Sequence, residues 1–405
     1  MKRRLTLMVP LLALAAACSD QSQSPVAPLQ APAAAAGKYI VVFKGGSMGA
    51  RRSVVGAIRD FTTEAGIRPT HVYGAVLDGF AAELTPEQVS ALRSDPRVAY
   101  VEPDAEVRLF TTQTANLFSW GLDRIDDADL PLDQSYTYTA SGAGVNAYIL
   151  DSGINLNHVD LVGHSNYIPN GNGGDFVNDG RGDASDCHGH GTHVAGTVGG
   201  LYSGVAKGAT IWMGRVVNCS GGGTASMVID GMNWIAANGQ KPGVVNMSLG
   251  YGNVQAVADA ATNLVAAGFT VAVAAGNGNF AGQPIDACTE APAKAPNVIT
   301  VGSTTSSDAE SSFSNYGTCV DILAPGSAIY SSDYSNVNQV VTKSGTSMAS
   351  PHVAGVAALY LSTNTTATPA QVTAAIKGIA KSGTITLHRS SKRYGTPNLF
   401  LFTNF

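Results

Sequence analysis

Short apolar runs alternate with helically spaced segments along most of the chain. Gly144 to Leu150, Thr210 to Val217, Val244 to Met247, Phe269 to Ala274 and Val298 to Gly302 are nearly continuous apolar runs, which predict buried strands. Between them His190 to Gly199, Ser226 to Asn238 and Ala256 to Ala267 carry helical spacing. Apolar strands alternating with helices predict an α/β fold, a mostly parallel sheet with helices on both faces. In such sheets chemistry gathers at the carboxyl ends of the strands. Asp151 and the Gly276-Asn277 turn fall there, and a final apolar run, Val353 to Leu361, reads as a buried helix.

Lys38 to Phe110 has a different pattern. A strand from Lys38 to Lys44 precedes a helix, Ser53 to Ala65, with Val54, Val55, Ile58 and Phe61 at helical spacing. His71 to Leu84 alternates as one long strand or a hairpin. Thr85-Pro86 opens a second helix with Thr as cap and Pro at the first position. A strand from Val98 to Glu102 closes a small α+β domain with its helices on one face. The tail, Val107 to Gln113, is apolar and free of turn residues, as a segment lying in a cleft would be.

Residues 1–17 read as a signal peptide: Lys2-Arg3-Arg4, an apolar stretch to Leu14, and the small residues Ala15-Ala16-Ala17. An Ala, Pro, Gln and Ser-rich linker, residues 18–37, follows and predicts disorder. Cys18 stands where a bacterial lipoprotein is acylated, although Ala15 occupies the place usual for Leu. Ordinary cleavage after Ala17 is the alternative.

Charged residues make up 13% of the chain and the formal charge is −5, so nothing draws it to nucleic acid. Export gives the cysteines meaning. Besides Cys18 there are Cys187, Cys219, Cys288 and Cys319, which allow three pairings or free thiols. Sequential pairing would close two loops of similar length, each stabilising by about 3–4 kcal/mol.

The candidate chemistry lies in three stretches. Asp186 to Thr197 holds His188, His190 and His193. A zinc site is one reading. These histidines do not share one helix face, however, and no acid sits among them as in a His-Glu-x-x-His helix. His190, in the first turn of a glycine-flanked helix, is the better general base, with His193 a packed structural residue. Ser347 opens the last helix, where free N–H groups and the helix dipole favour developing negative charge. Its hydroxyl needs a base to become a nucleophile. Asp151, alone a helix cap or calcium ligand, could instead orient His190. Asn277, alone a turn residue, could join the Ser347 N–H as an oxyanion donor.

Asp151-Ser152-Gly153, the run from His190 to Thr197, and the run from Gly345 to His352 resemble the three signatures of subtilisin-type serine proteases, in that family's order Asp, His, Ser. The likeness covers residues 111–405 and is closest to the proteinase K branch, aqualysin I-like enzymes in particular. Trp120 to Asp126 and Ser311 to Gly317 support it, and Ser350 departs from the usual Thr. Lys38 to Phe110 resembles the family's inhibitory propeptide, ferredoxin-like in fold. The resemblance implies substrate-binding edges at Gly221, Gly222, Gly223 and at Ser248, Leu249, Gly250, between which a peptide lies as an added strand. It implies the disulfides Cys187–Cys219 and Cys288–Cys319. It also implies structural Ca²⁺ at Pro296, Val298 and Asp321, with a second site at Asp123, Asp126 and Asp133, where Asp127 and Ser135 replace other residue types nearby.

The expectation is an exported, monomeric, self-processing serine endopeptidase acting on proteins and peptides. Residues 38–110 serve as intramolecular inhibitor and folding aid, and residues 111–405 form a subtilisin-like catalytic domain. Self-cleavage falls at Phe110–Thr111, which would detach the enzyme from any lipid on Cys18. Specificity is expected to be broad, with an apolar or aromatic residue before the cut, because no charge lines Ala272 to Gly276. An inactive relative serving as a binding or surface protein is the rival and requires a broken triad. An α/β-hydrolase esterase would show Gly-x-Ser-x-Gly, whereas Met348-Ala349 follow Ser347.

Overall fold

The computed structural model describes residues 36–48, 51–108, 112–113, 119–279 and 281–405; the expected signal segment, Cys18 and the Phe110–Thr111 bond lie outside the described residues. The N-terminal domain runs β1 (Gly37–Phe43), α1 (Arg51–Glu64), β2 (Pro69–Tyr73), β3 (Gly79–Leu84), α2 (Pro86–Ser94) and β4 (Val98–Pro103). Its antiparallel sheet has the order β2-β3-β1-β4, a ferredoxin-like arrangement in which His71 to Leu84 resolves into a hairpin. The Thr85 hydroxyl accepts the Gln88 N–H and the Gln88 side chain accepts the Thr85 N–H, so α2 starts where its cap dictates.

Two short strands, β5 (Glu106–Arg108) and β6 (Thr112–Gln113), and helix α3 (Trp120–Asp126) lead into the larger domain. There β7 (Asn146–Asp151), β8 (Ser165–Tyr167), α4 (His190–Gly199), β9 (Thr210–Arg215), β10 (Gly222–Thr224), α5 (Ala225–Asn238), β11 (Gly243–Met247), α6 (Gln255–Ala266) and β12 (Thr270–Ala274) follow. Then come β13 (Ile299–Thr304), β14 (Ile322–Pro325), β15 (Ile329–Ser332), β16 (Val340–Ser344), α7 (Thr346–Thr363), α8 (Pro369–Ile379), β17 (Lys381–Ser382), α9 (Arg389–Arg393) and β18 (Leu399–Phe400). The main sheet has the order β17-β18-β14-β13-β12-β11-β7-β9-β8. Its strands pair in parallel except β17 with β18. This is the expected subtilisin-like α/β fold.

The sheet divides two cores, because successive strand residues point to opposite faces. Ala147 and Ile149 of β7 pack with Val194 of α4 and Val353 of α7. Tyr148 and Leu150 pack with Ile229 of α5 and Val257 of α6. The same alternation docks the N-terminal domain. Val41 and Phe43 join Ile58, Phe61 and Phe80 in that domain's own core, while Ile40 and Val42 join the cluster of α5 and α6.

Polar contacts fix this docking. The Glu102 carboxylate accepts the N–H groups of Gln255 and Ala256 at the start of α6. The Asp104 carboxylate accepts the N–H (2.9 Å) and hydroxyl of Ser226 at the start of α5. Both carboxylates satisfy donors that a helix N-terminus leaves open. Beyond the domain, Glu106 to Arg108 pair antiparallel with Gly222 to Thr224, and Thr112 and Gln113 pair antiparallel with Ser344 and Lys343.

Candidate active site

Asp151 ends β7, and its carbonyl accepts the Val216 N–H at 2.8 Å, which pins the strand end to the chain beyond β9. Its Oδ1 accepts the Ser152 N–H and the His190 Nδ1–H, each at 2.7 Å. Both side chains of the pair are fully buried. A carboxylate can only accept, so Nδ1 carries the proton and Nε2 keeps its lone pair. That Nε2 is buried without a hydrogen-bond partner among the described residues.

One carboxylate sets the approach of α4 to β7. Gly189 takes φ 89°, a left-handed turn into the helix that favours glycine. Asp186 accepts the N–H groups of His188 (2.9 Å), Gly189 (2.8 Å) and Thr192 (2.9 Å) and the hydroxyls of Thr192 (2.6 Å) and Ser152 (3.0 Å). The Ser152 hydroxyl in turn accepts the Gly191 N–H at 2.9 Å. The residue after Asp151 and the turn carrying His190 are thereby tied together. Disulfide Cys187–Cys219 joins this loop to the approach of β10, and Cys288–Cys319 closes the second pair.

The other two histidines lead elsewhere. His193 Nε2 donates to the carbonyls of Ile329 (3.0 Å) and Val341 (3.1 Å), and burial holds its pKa well below the ordinary value. His188 is half-buried, its ring centre 6.3 Å from that of His190, and burial first, then His190, lowers its pKa. No metal cluster forms from these residues among those described.

Ser347 lies in the first turn of α7 and is 1% exposed. Its hydroxyl donates to the Ser248 carbonyl at 3.1 Å, and the Ser248 hydroxyl donates back to the Ser347 carbonyl at 2.8 Å. Pro351, four residues on, has no N–H to offer that carbonyl, which leaves it for Ser248. Asn246 Nδ2 donates to the Ser248 hydroxyl, and the Ser350 hydroxyl to Asn246 Oδ1, so α7 is locked to the end of β11.

Asn277 follows β12, and its Oδ1 accepts the N–H (2.8 Å) and hydroxyl (2.7 Å) of Thr346. This fixes the orientation of the amide, whose Nδ2 end is a donor. Asn315 braces the turn, donating to the Ala275 carbonyl and accepting the Gly278 N–H, each at 2.9 Å. Asp151, held to His190, the Ser248 partner of Ser347, and Asn277 thus follow or end the neighbouring parallel strands β7, β11 and β12 at their carboxyl side.

The expected calcium ligands divide. Asp321 is engaged on both oxygens, by the Thr300 N–H and by Lys377 Nζ, each at 3.0 Å, so an ammonium already neutralises it. Asp123, Asp127 and Asp133 present carboxylate oxygens within 4.8 Å of one another. Asp126, expected in that group, accepts the Thr137 N–H instead, and burial pushes its carboxyl up to about 6. Burial, then the Asp127 charge, raises Asp123. Crowded, partly desolvated carboxylates suit a hard cation.

Residues 142–396 match the subtilase family and residues 38–110 match the peptidase inhibitor I9 family. An extracellular serine proteinase of Thermus sp. (strain Rt41A) is 46% identical, with 99% of each chain covered. An alkaline serine exoprotease A of Vibrio alginolyticus is 46% identical over 88% of this chain and 66% of that one. The crystal structure of a cold adapted subtilisin-like serine proteinase superposes with TM-score 0.65 at 48% identity, covering 71% of this chain and 98% of the other.

Proposed function

The chain belongs to the subtilase family and is a serine endopeptidase with an inhibitor-type N-terminal domain, and we propose that Ser347, His190 and Asp151 form its catalytic triad. The observation that carries this is the buried Asp151–His190 pair at 2.7 Å, which leaves Nε2 as a base. A substrate strand lies between Gly221–Gly223 and Ser248–Gly250. Ser347 Oγ turns from the Ser248 carbonyl toward Nε2, gives up its proton and attacks the scissile carbonyl. Asp151 stabilises the imidazolium. The Ser347 N–H and Asn277 Nδ2 hold the oxyanion, and the protonated His190 then delivers its proton to the leaving amine.

The first substrate is the chain itself. The backbone pairings of Arg108 with Gly222 and of Thr112 with Ser344 fall on either side, in sequence, of the Phe110–Thr111 bond, which supports cleavage there. Residues 38–110 act as the removable inhibitor and residues 111–405 as the mature, monomeric enzyme. Residues 1–17 direct export, as the extracellular relative suggests; acylation of Cys18 would anchor only the precursor. Among the described residues, no helix is long and apolar enough to cross a membrane. Ca²⁺ is the structural cation this reading calls for. Asp123, Asp127 and Asp133 would hold it, whereas at Pro296, Val298 and Asp321 it would have to displace Lys377. Substrate specificity is broad, with apolar or aromatic side chains accepted before the cut along the Ala272 to Gly276 wall.

Wild type and Ser347→Ala, each expressed as the full chain, test this with a fluorophosphonate probe and casein. Wild type should shorten to the mature form, label and cleave. Ser347→Ala should do none of these. A variant that still matures, or a wild type that neither labels nor cleaves, overturns the assignment.

A further inference from the structure

In the mechanism above the residue before the cut has its carbonyl at Ser347 and Asn277, which puts its side chain between the segments that follow the neighbouring strands β11 and β12, Ser248–Gly252 and Ala274–Asn277. Those walls are apolar where they are formed by Leu249, Ala274 and Ala275, all buried. Their far end is not. Glu290 Oε2 accepts the Gly252 N–H at 3.1 Å. A Cβ placed on Gly276 of the opposite wall would lie 3.8 Å from Glu290 Cγ. The segment is fixed in place, since the Ala291 N–H donates to the Gly252 carbonyl (2.7 Å) and the Tyr251 N–H to the Ala291 carbonyl (2.9 Å). Glu290 therefore bridges the two walls.

We infer that Glu290 is a specificity-determining residue, whose carboxylate floors this pocket and admits lysine and arginine alongside apolar side chains. The inference rests on the protease reading above. Among the described residues the Glu290 carboxylate takes the Gly252 N–H on Oε2 and nothing on Oε1. The ammonium of Lys294, four residues on, is held by Asn253 and Gln255. Burial pushes the Glu290 carboxyl up, against the Gly252 N–H that its Oε2 accepts. A substrate lysine or arginine supplies a counter-charge: the methylene stem lies along the alanine and leucine walls while the cation reaches Oε1. An aromatic side chain uses the same walls without reaching the floor.

Matched peptides differing only in the residue before the cut, Phe, Lys or Glu, provide the test on the mature enzyme. Wild type should cleave the Phe and Lys peptides and discriminate against Glu. Glu290→Gln, close in shape, should lower kcat/KM for the Lys peptide about tenfold and leave the Phe peptide within about twofold. Glu290→Lys should reverse the Lys and Glu ranking. A Glu290→Gln enzyme that changes on Phe and Lys alike, or a wild type that cleaves Phe but not Lys, overturns the inference while the protease reading stands. A wild type that cleaves none of the peptides overturns the protease reading and this assignment with it.

Discussion

The proton on His190 Nδ1 is held there by a single oxygen, Asp151 Oδ1 at 2.7 Å. Removing that carboxylate takes away both the acceptor that fixes the tautomer and the charge that stabilises the imidazolium. Asp151→Ala should therefore lose about 10⁴ in kcat, the order known for loss of the orienting acid in a subtilisin, with KM little altered. Steady-state kinetics checks it, and a loss under about tenfold would exclude Asp151 from the orienting role. Asp151, His190, Ser347 and Asn277 stood out as candidates because each sits at a strand or helix end with a residue type suited to chemistry there. Thr346 was not. Its contact with Asn277 spans 69 positions, and nothing local marks a threonine as the residue that orients an amide. Asp186 did leave a signal, as an Asp just ahead of a helix, but the five bonds it accepts become countable only once the loop is folded.

The N-terminal domain and the enzyme meet through elements rather than through isolated residues. Glu102 and Asp104 sit at the end of β4 and just beyond it, and each caps a helix of the other domain. Caps of this kind contribute about 1 kcal/mol apiece. In the Ser347→Ala precursor, which should stay uncut, Glu102→Ala with Asp104→Ala should weaken docking by about 2 kcal/mol and speed amide exchange in β1 and β3. Unchanged exchange would show that the apolar face of Ile40 and Val42 suffices. Long buried strands and helices were readable from the chain, and α4 starts and ends where its spacing said. The elements that escaped are short or mixed in polarity. β14 has four residues, β15 and β16 carry Ser, Thr and Lys, and the choice between one strand and a hairpin at His71 to Leu84 depended on pairing with β1.

At the scale of the whole molecule, two disulfides and a carboxylate cluster act on loops that the sheet leaves outside its two cores. The disulfides span 32 and 31 residues, each stabilising by about 3 kcal/mol in the chain-entropy view. For the cluster of Asp123, Asp127 and Asp133, chelation should lower the melting temperature of the mature enzyme by several degrees and leave kcat intact at low temperature. Thermal melts with and without chelator measure this; coincident curves would mean the acids are merely solvated. Helix α7 carries a further consequence. It is buried from Thr346 to Leu359, packs against β11, β12, β13 and β14, and carries Ser347 in its first turn. The proposed nucleophile thus sits at an end of a buried helix rather than on a loop. Local melting of α7 would take with it the packing of four strands, so Ser347 should stay in place until the sheet itself gives way.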